Sequence, residues 1–300
     1  MTLDSSLLLK AAEAAAGAQQ YPAGALYVVA TPIGNLADIT LRAIHVLSLV
    51  DAVACEDTRH SAQLMRHLGL DKPLLAVHEH NEREAAQAVL ARLARGERVA
   101  YVSDAGTPAV SDPGAVLVAA AQAAGHRCVP LPGASSALAA LSVAGDAQNA
   151  GFEFIGFLPP KGNERALAMQ AIAMRANAQV VFEAPHRIEK LVKGIADTCG
   201  DRLVTLCREL TKQFESIVTL PAAQLPAWMA EDEHRQRGEF VLVIHARPVQ
   251  HDESDAQAEA TLKILLAELP LTQAVSLAAS ITGTARNALY ARALAMRAAD

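Results

Sequence analysis

Two α/β domains followed by a small helical module are the architecture this sequence predicts, and three observations predict it. Short apolar runs alternate with helical patterns through the first half. In the second half, two strand-length runs follow one another with no helix between them. The last segment carries helical periodicity alone. A βαβα rhythm implies a largely parallel, doubly wound sheet with helices on both faces. Neighbouring strands joined by a tight turn imply a mixed second sheet.

Bulk properties agree. The chain has 300 residues, 52% hydrophobic and 19% charged, enough for two cores. Aromatics are only 4%, which suits helices layered on sheets better than an all-β sandwich. The net charge of −6 argues against indiscriminate nucleic-acid binding and leaves room for a local basic face. Cys55, Cys128, Cys199 and Cys207 form no CxxC pair and read as buried thiols of a reducing compartment. No metal site is expected, because no histidine stands at ligand spacing beside them. No stretch reaches the roughly 20 apolar residues of a membrane span, so no membrane role is expected.

Residues 1–24 read as a flexible or weakly helical N-terminal tail, whose Leu7-Leu8-Leu9 run is too short for a signal peptide. A cytoplasmic protein is expected. The first α/β domain, 25–133, holds candidate strands at Leu26–Ala30, Asp51–Cys55, Leu74–Val77, Val99–Ser103 and Arg127–Leu131. Asn81 and Glu84 have capping-box spacing ahead of a helix that Gly96 stops. Pro113 and Gly125 bracket another helix as N1 and C′ residues.

The hinge between halves is expected near Gly133–Asp146. The second domain, 134–248, holds candidate strands at Phe152–Phe157, Gln179–Phe182, Arg202–Arg208, Glu215–Leu220 and Glu239–Ala246, with a hairpin around Lys212. The acidic run His251–Asp255 suits a linker, 249–256. Residues 257–300 read as a helical module with a helix-turn-helix at Leu271–Ile281, Thr282–Thr284 and Ala285–Met296. Between Leu269 and Ala299 its only charges are Arg286, Arg292 and Arg297, so it is locally basic.

Neither GxGxxG after the first strand nor GxxxxGK[ST] is present. Instead, three strands run into small-residue loops: Thr31-Pro32-Ile33-Gly34-Asn35-Leu36, Ser103-Asp104-Ala105-Gly106-Thr107-Pro108, and Pro132-Gly133-Ala134-Ser135-Ser136. One such loop is as well explained as a turn. Three at the carboxyl edge of one parallel sheet point to a ligand pocket, where open α/β sheets bind. Asp104 either accepts from an amine or ribose hydroxyl or caps its turn.

Glu56-Asp57-Thr58-Arg59 follows the second strand and reads equally as a helix entry or a site. His78-Glu79-His80 suits a nucleotide-contacting or structural role better than a metal. Glu183–Arg187 and Arg208-Glu209-Leu210-Thr211-Lys212 are dense polar clusters whose default reading is surface ion pairing. Lys161 and Arg165 flank Gly162 and suit phosphate contact or plain exposure.

Taken in order, the Thr31–Leu36, Glu56–Arg59, Ser103–Pro108, Glu209–Lys212 and Gly238-Glu239-Phe240-Val241-Leu242-Val243 segments resemble the tetrapyrrole-methylase superfamily. They are most similar to its ribosomal RNA small subunit methyltransferase I branch. The resemblance spans about residues 25–248, and the helical tail resembles that branch's C-terminal helix-turn-helix.

It implies a tetrapyrrole-methylase fold binding S-adenosylmethionine between two α/β domains, in a homodimer. It also implies 2′-O-methylation of the cytidine at position 1402 of 16S ribosomal RNA in the 30S subunit. Cofactor contacts would fall on Pro32, Ala105, Gly106, Thr107, Val110, Ser135 and Ser136, with Ala184, Phe240 and Leu242 from the second domain. Gly34 and Asp104 join them from the same loops. Tetrapyrrole-making members have Gly-Gly-Asp-Pro where this chain has Ala105-Gly106-Thr107-Pro108, which fits the RNA branch; Ala134, where close relatives often have Pro, is expected to be neutral.

Methyl transfer needs no covalent protein intermediate, so positioning supplies much of the rate. A ribose 2′-hydroxyl needs a base or a cation that favours its alkoxide. Glu56, Asp57, Glu209 and Lys212, together with His80, are unranked candidates. Arg59, His80, Lys161, Arg187, Arg208, Arg286 and Arg292 are candidates for RNA contact. Two other readings remain: a methylase of tetrapyrroles, and an S-adenosylmethionine-sensing regulator that binds nucleic acid through the tail.

Overall fold

The computed structural model describes residues 5–78, 81–148, 151–247 and 251–299. It divides into two compact units, the first ending at Ala246 and the second beginning at Arg247.

The expected flexible tail contains a packed helix, α1 (Ser5–Ala16). Leu8, Leu9, Ala12 and Ala16 recur at helical spacing, and Ala12 is fully buried in the first core with Leu8 and Leu9 against it. That apolar stripe overrides the tail reading.

Strands β1 (Leu26–Val29), β2 (Ala52–Cys55), β3 (Leu74–Ala76), β4 (Val99–Val102) and β5 (Cys128–Leu131) form one sheet in the order β3-β2-β4-β1-β5. All its pairings are parallel. Helices α2 (Leu41–Leu49) and α3 (Thr58–His67) cover one face, α4 (Glu82–Ala94) and α5 (Ala115–Ala123) the other. Ala100 and Val102 pack with Tyr27, Ile44 and Leu47 on the first face. Val99 and Tyr101 pack with Val89, Leu93 and Leu117 on the second. Burial on both faces is why these strands read as continuous apolar runs.

Two caps differ from expectation. Asn81 makes no side-chain cap for α4; its Oδ1 accepts from the His78 amide at 2.8 Å and its Nδ2 donates to the Ala76 carbonyl at 3.1 Å. The N-cap of α5 is Gly114 rather than the residue before Pro113. Glu82 reaches across from α4 and accepts from the amides of Gly114, Val116 and Leu117 at 2.9, 3.1 and 3.2 Å. A carboxylate on the orphan amides of a helix N-terminus is favoured by charge and by hydrogen bonding.

The stretch expected to hold the hinge is α6 (Ser136–Ala144), followed by β6 (Phe152–Phe157), α7 (Gly162–Met174), β7 (Ala178–Glu183), α8 (Ile188–Cys199), β8 (Leu203–Arg208), β9 (Ser216–Pro221), α9 (Leu225–Ala230) and β10 (Phe240–Ile244). The second sheet has the order β6-β7-β10-β8-β9. Only β6 and β7 pair in parallel; β8 and β9 form the hairpin expected around Lys212. Ala137, Ala140 and Ala144 of α6 lie on one face against Val180, Val241 and Val243. Ile188, Leu191 and Ile195 of α8 cover the other against Val181, Leu206 and Leu242. Inside this sheet the Thr205 hydroxyl lies 2.8 Å from His245 Nε2 and 2.7 Å from the Thr219 hydroxyl.

The second unit consists of α10 (His251–Glu268), α11 (Leu271–Thr282) and α12 (Arg286–Ala299), with the turn at Gly283 in the left-handed conformation. Leu262, Val275, Ala278 and Leu289 form its core. The expected linker residues 251–256 belong to α10 instead.

Candidate functional site

The three small-residue loops at the carboxyl ends of β1, β4 and β5 meet as one wall. Thr31 and Gly106 exchange amide–carbonyl hydrogen bonds at 2.9 and 3.0 Å. The buried Thr31 hydroxyl donates to the Ser103 carbonyl at 3.2 Å, and the Thr107 hydroxyl donates to the Ala134 carbonyl at 3.1 Å. Gly106 has φ +83°, and a side chain there would press on Ile33. Glycine is what lets the loop turn that tightly.

In front of this wall lies a cavity of about 360 Å³. Ala105, Gly106, Thr107 and Val110 of the first domain line it, with Ser135 and Ser136 from the start of the second, all of them expected. The second domain closes it with the expected Ala184 and Phe240, and with Phe157, Phe182 and Glu183. Val110 and Phe157 are about half exposed, so apolar surface stands open to the cavity. Leu242 is not on this wall; it is fully buried, two residues along β10, against α8.

Glu183 braces the second-domain side. Its side chain is fully buried, with Oε2 3.0 Å from Arg165 and Oε1 2.6 Å from Arg187 and 3.1 Å from the Ala184 amide. Arg187 is thereby engaged in structure, as is Arg208. The Arg208 guanidinium donates to the Ser216 hydroxyl and to the carbonyls of Phe214 and Arg237, clamping the β8–β9 hairpin.

A second cavity, about 400 Å³, adjoins the first; both are lined by Ile33, Ala105 and Glu239. Pro32, Gly34 and Asp104 line this second space rather than the first. Lys212 stands on its wall, and α3 contributes His60, Gln63 and His67.

Lys212 is held by two carboxylates, with Nζ 2.9 Å from Glu209 Oε1 and 2.9 Å from Glu239 Oε2. Burial pulls the Lys212 ammonium pKa down, but the hydrogen bonds it donates to Glu239 and Glu209 outweigh it and hold it above its ordinary value. Burial likewise works to raise the Glu209 carboxyl, but Lys212 and the Glu239 amide hold it below. The turn that makes this geometry is strained: Glu209 has φ +53° and Thr211 φ +66°. Such conformations cost about 1–3 kcal/mol each and collect where function needs them.

Glu56 and Asp57 line neither cavity. Arg59 lies 2.6 Å from Asp57, and its hydrogen bonds hold that exposed carboxyl at about 2, so Asp57 is a weak base. Burial pushes Glu56 up, with Asp112 and Asp104 adding to the shift. Burial also raises Asp112, a first-cavity residue, against the Ser103 hydroxyl that lowers it. Asp104 accepts from the Asp57 amide at 3.1 Å, tying the entry of α3 to the β4 loop.

Of the other expected RNA contacts, Arg59 is exposed in the first turn of α3. Lys161 is exposed at the start of α7. Arg286 and Arg292 lie on α12 of the other unit. His80 falls outside the described residues.

Sequence reasoning missed Glu239, Asp112, Glu183 and the α3 trio. Glu239 and Glu183 stood inside quoted motifs without a role of their own, and Asp112 was not singled out. The i, i+3, i+7 spacing of His60, Gln63 and His67 was a legible signal of one helix face.

Comparison with known proteins places these features. The family described as Tetrapyrrole (Corrin/Porphyrin) Methylases matches residues 25–226, and the RsmI C-terminal HTH domain matches residues 252–297. Ribosomal RNA small subunit methyltransferase I of Pseudomonas aeruginosa is 49% identical over 275 residues, covering 91% of this chain and 97% of the relative. That of Escherichia coli O157:H7 is 47% identical over 272 residues, covering 90% and 95%. Among solved structures, the methyltransferase CobJ superposes with TM-score 0.56 at 20% identity, over 75% of this chain and 97% of that one. A Thermus thermophilus uroporphyrin-III C-methyltransferase complexed with S-adenyl homocysteine gives 0.51 at 17% identity, over 73% and 96%. The structural likeness is one of fold.

Proposed function

This chain belongs to the tetrapyrrole methylase family, in its ribosomal RNA small subunit methyltransferase I branch, and from that membership we propose that it methylates the ribose 2′-oxygen of cytidine 1402 in 16S ribosomal RNA. The observation that carries the proposal is the meeting of two cavities at Ile33, Ala105 and Glu239, one walled by small residues and the other bearing a lysine.

S-adenosylmethionine supplies an electrophilic sulfonium methyl. The first cavity suits it: its volume lies in the range of cofactor sites, and its apolar walls at Val110 and Phe157 suit an adenine ring. Thr107, Ser135 and Ser136 offer hydroxyls for its polar groups, and Asp112 offers a carboxylate. Ala105, Gly106, Ala184 and Phe240 complete the wall, and the small residues admit close approach of the backbone.

The nucleoside enters the second cavity. Lys212, whose neighbours keep it charged, stabilises the alkoxide developing on the 2′-oxygen rather than taking its proton. Glu209 positions that ammonium. Glu239, on the wall common to both cavities, accepts the proton. Pro32, Gly34 and Asp104 shape the passage between the two spaces.

Arg59 and Lys161 engage phosphates near the cleft, and Arg286 and Arg292 engage RNA from the helical unit. Its lack of acidic side chains between Leu269 and Ala299 supports that role. The working state is a homodimer acting on the 30S subunit in the cytoplasm.

Incubation with labelled S-adenosylmethionine and unmodified 30S subunits tests the reading. Label should enter 16S RNA and protect one cytidine linkage from alkaline cleavage, since that cleavage needs a free 2′-hydroxyl. Turnover on a tetrapyrrole with none on RNA overturns it.

A further inference from the structure

We propose that the second cavity is a nucleoside pocket that receives a single unstacked pyrimidine nucleotide, gripped at its base edge by His60, Gln63 and His67 of α3. The inference rests on the RNA-methyltransferase reading and names the part of the chain that holds the acceptor.

The placement follows from helix geometry. At about 100° per residue, positions 60, 63 and 67 fall within about 60° of one another on the helix surface. All three line the same cavity. The rest of α3 is anchored: Asp57 caps it, and Ser61, Leu64 and Met65 are buried. Three polar side chains therefore project from a helix whose orientation is set by the core. The same cavity is lined by Lys212 and Glu239, the pair assigned to the ribose hydroxyl.

The chemistry of the trio selects a base rather than a phosphate. A carboxamide and two imidazoles each combine donor and acceptor capacity, which matches the mixed edge of a pyrimidine. None carries the permanent positive charge that phosphate recognition favours. The cationic Arg59 points elsewhere: its guanidinium is almost fully exposed and paired with Asp57.

Space agrees as well. A cavity of about 400 Å³ holds one nucleoside, not a stretch of stacked strand. An enzyme that must reach one ribose in folded RNA has to splay that nucleotide out, and a pocket that satisfies the base edge offsets the cost of unstacking.

The test uses full-length Gln63→Ala, His67→Ala and His60→Ala variants with unmodified 30S subunits, and S-adenosylhomocysteine affinity by calorimetry. His60 and Gln63 are exposed, so their variants should melt with the wild type. Each substitution should lower kcat/KM for the subunit by about tenfold or more while the S-adenosylhomocysteine Kd stays within about twofold. On subunits carrying a purine at the target position the wild type should be at least about a hundredfold slower, and Gln63→Ala should narrow that gap. Unchanged kinetics, or parallel loss of cofactor affinity, overturns the nucleoside pocket while leaving the RNA reading intact. A wild type that puts no label into RNA removes the RNA reading, and the pocket with it.

Discussion

Lys212 lies directly over the α-carbon of Gly34: a methyl group built on that glycine would stand 2.5 Å from Lys212 Cγ. The loop after β1 thus leaves a gap that the lysine from the β8–β9 hairpin fills. Gly34→Ala should push the ammonium off its carboxylates. Because small misplacements of catalytic groups cost up to about a hundredfold, kcat for methyl transfer should fall about 10–100-fold. S-adenosylhomocysteine affinity, measured by calorimetry, should barely change.

Removing the charge should cost more. Lys212→Met should lower kcat by about 10²–10³-fold with a smaller effect on KM, the range seen when one oxyanion-stabilising donor is lost. Because Glu239 and Glu209 hold the ammonium above its ordinary pKa, it stays protonated up to about pH 10. A pH–rate profile should show no alkaline decline from this group below that point. A rate that climbs with pH through a midpoint near pH 8, in a rise that vanishes in Lys212→Met, would assign it the role of base instead.

Glu183 balances two arginines in a buried setting. Glu183→Ala leaves Arg165 and Arg187 facing each other without their carboxylate, and breaking such a buried group costs about 3–5 kcal/mol. The urea midpoint should drop accordingly. S-adenosylhomocysteine binding should weaken too, because Glu183 also holds the Ala184 amide at the cavity wall.

Stability should carry an acid limb from His245. Burial lowers its pKa in the folded state, with Arg202 adding to the effect and Asp146 opposing it. In the unfolded chain it titrates near its ordinary value of about 6.5. Below that pH the unfolded state binds the proton first, so stability falls as pH drops and levels off once pH passes the folded-state pKa. Glu56 and Asp112 have raised pKa values and act in the opposite direction. A His245→Gln comparison isolates the histidine: its urea midpoint should lose less than the wild type's between pH 7.5 and 5.5. Equal losses would show that His245 titrates alike in the folded and unfolded states and contributes nothing to the limb.

The helical unit should matter to RNA and not to the cofactor. A chain ending at Arg247 retains the whole first compact unit. Its S-adenosylhomocysteine affinity should match the full chain's, while methyl transfer to 30S subunits should fall at least about tenfold. Equal loss of both activities would remove the tail from RNA recognition.

Much of the architecture was legible before any coordinates. Each of the ten strands among the described residues falls on an expected apolar run, to within a residue or two at the ends; for the central strands β2, β4 and β10, burial on both faces leaves an unmistakable composition. The three loops were legible as one pocket because parallel strands bring their carboxyl ends to a common edge. Local signals misled where a tertiary partner competed with them. Asn81 turned back to His78 and Ala76, while Glu82 capped a different helix.

What the sequence determined alone was the alternation of elements, the helical module and the small-residue wall, since periodicity and contiguous small residues are properties of neighbours along a chain. Tertiary structure decided the rest. It gave Lys212 a pair of carboxylates beside a cavity and Asp57 an exposed arginine. It engaged Arg187 and Arg208 in hydrogen bonds within the second domain, placed Leu242 in the core, and brought His60, Gln63 and His67 to a cavity that Glu239 also lines. Charge, burial and separation between residues distant in the chain set those outcomes, and no local pattern encodes them.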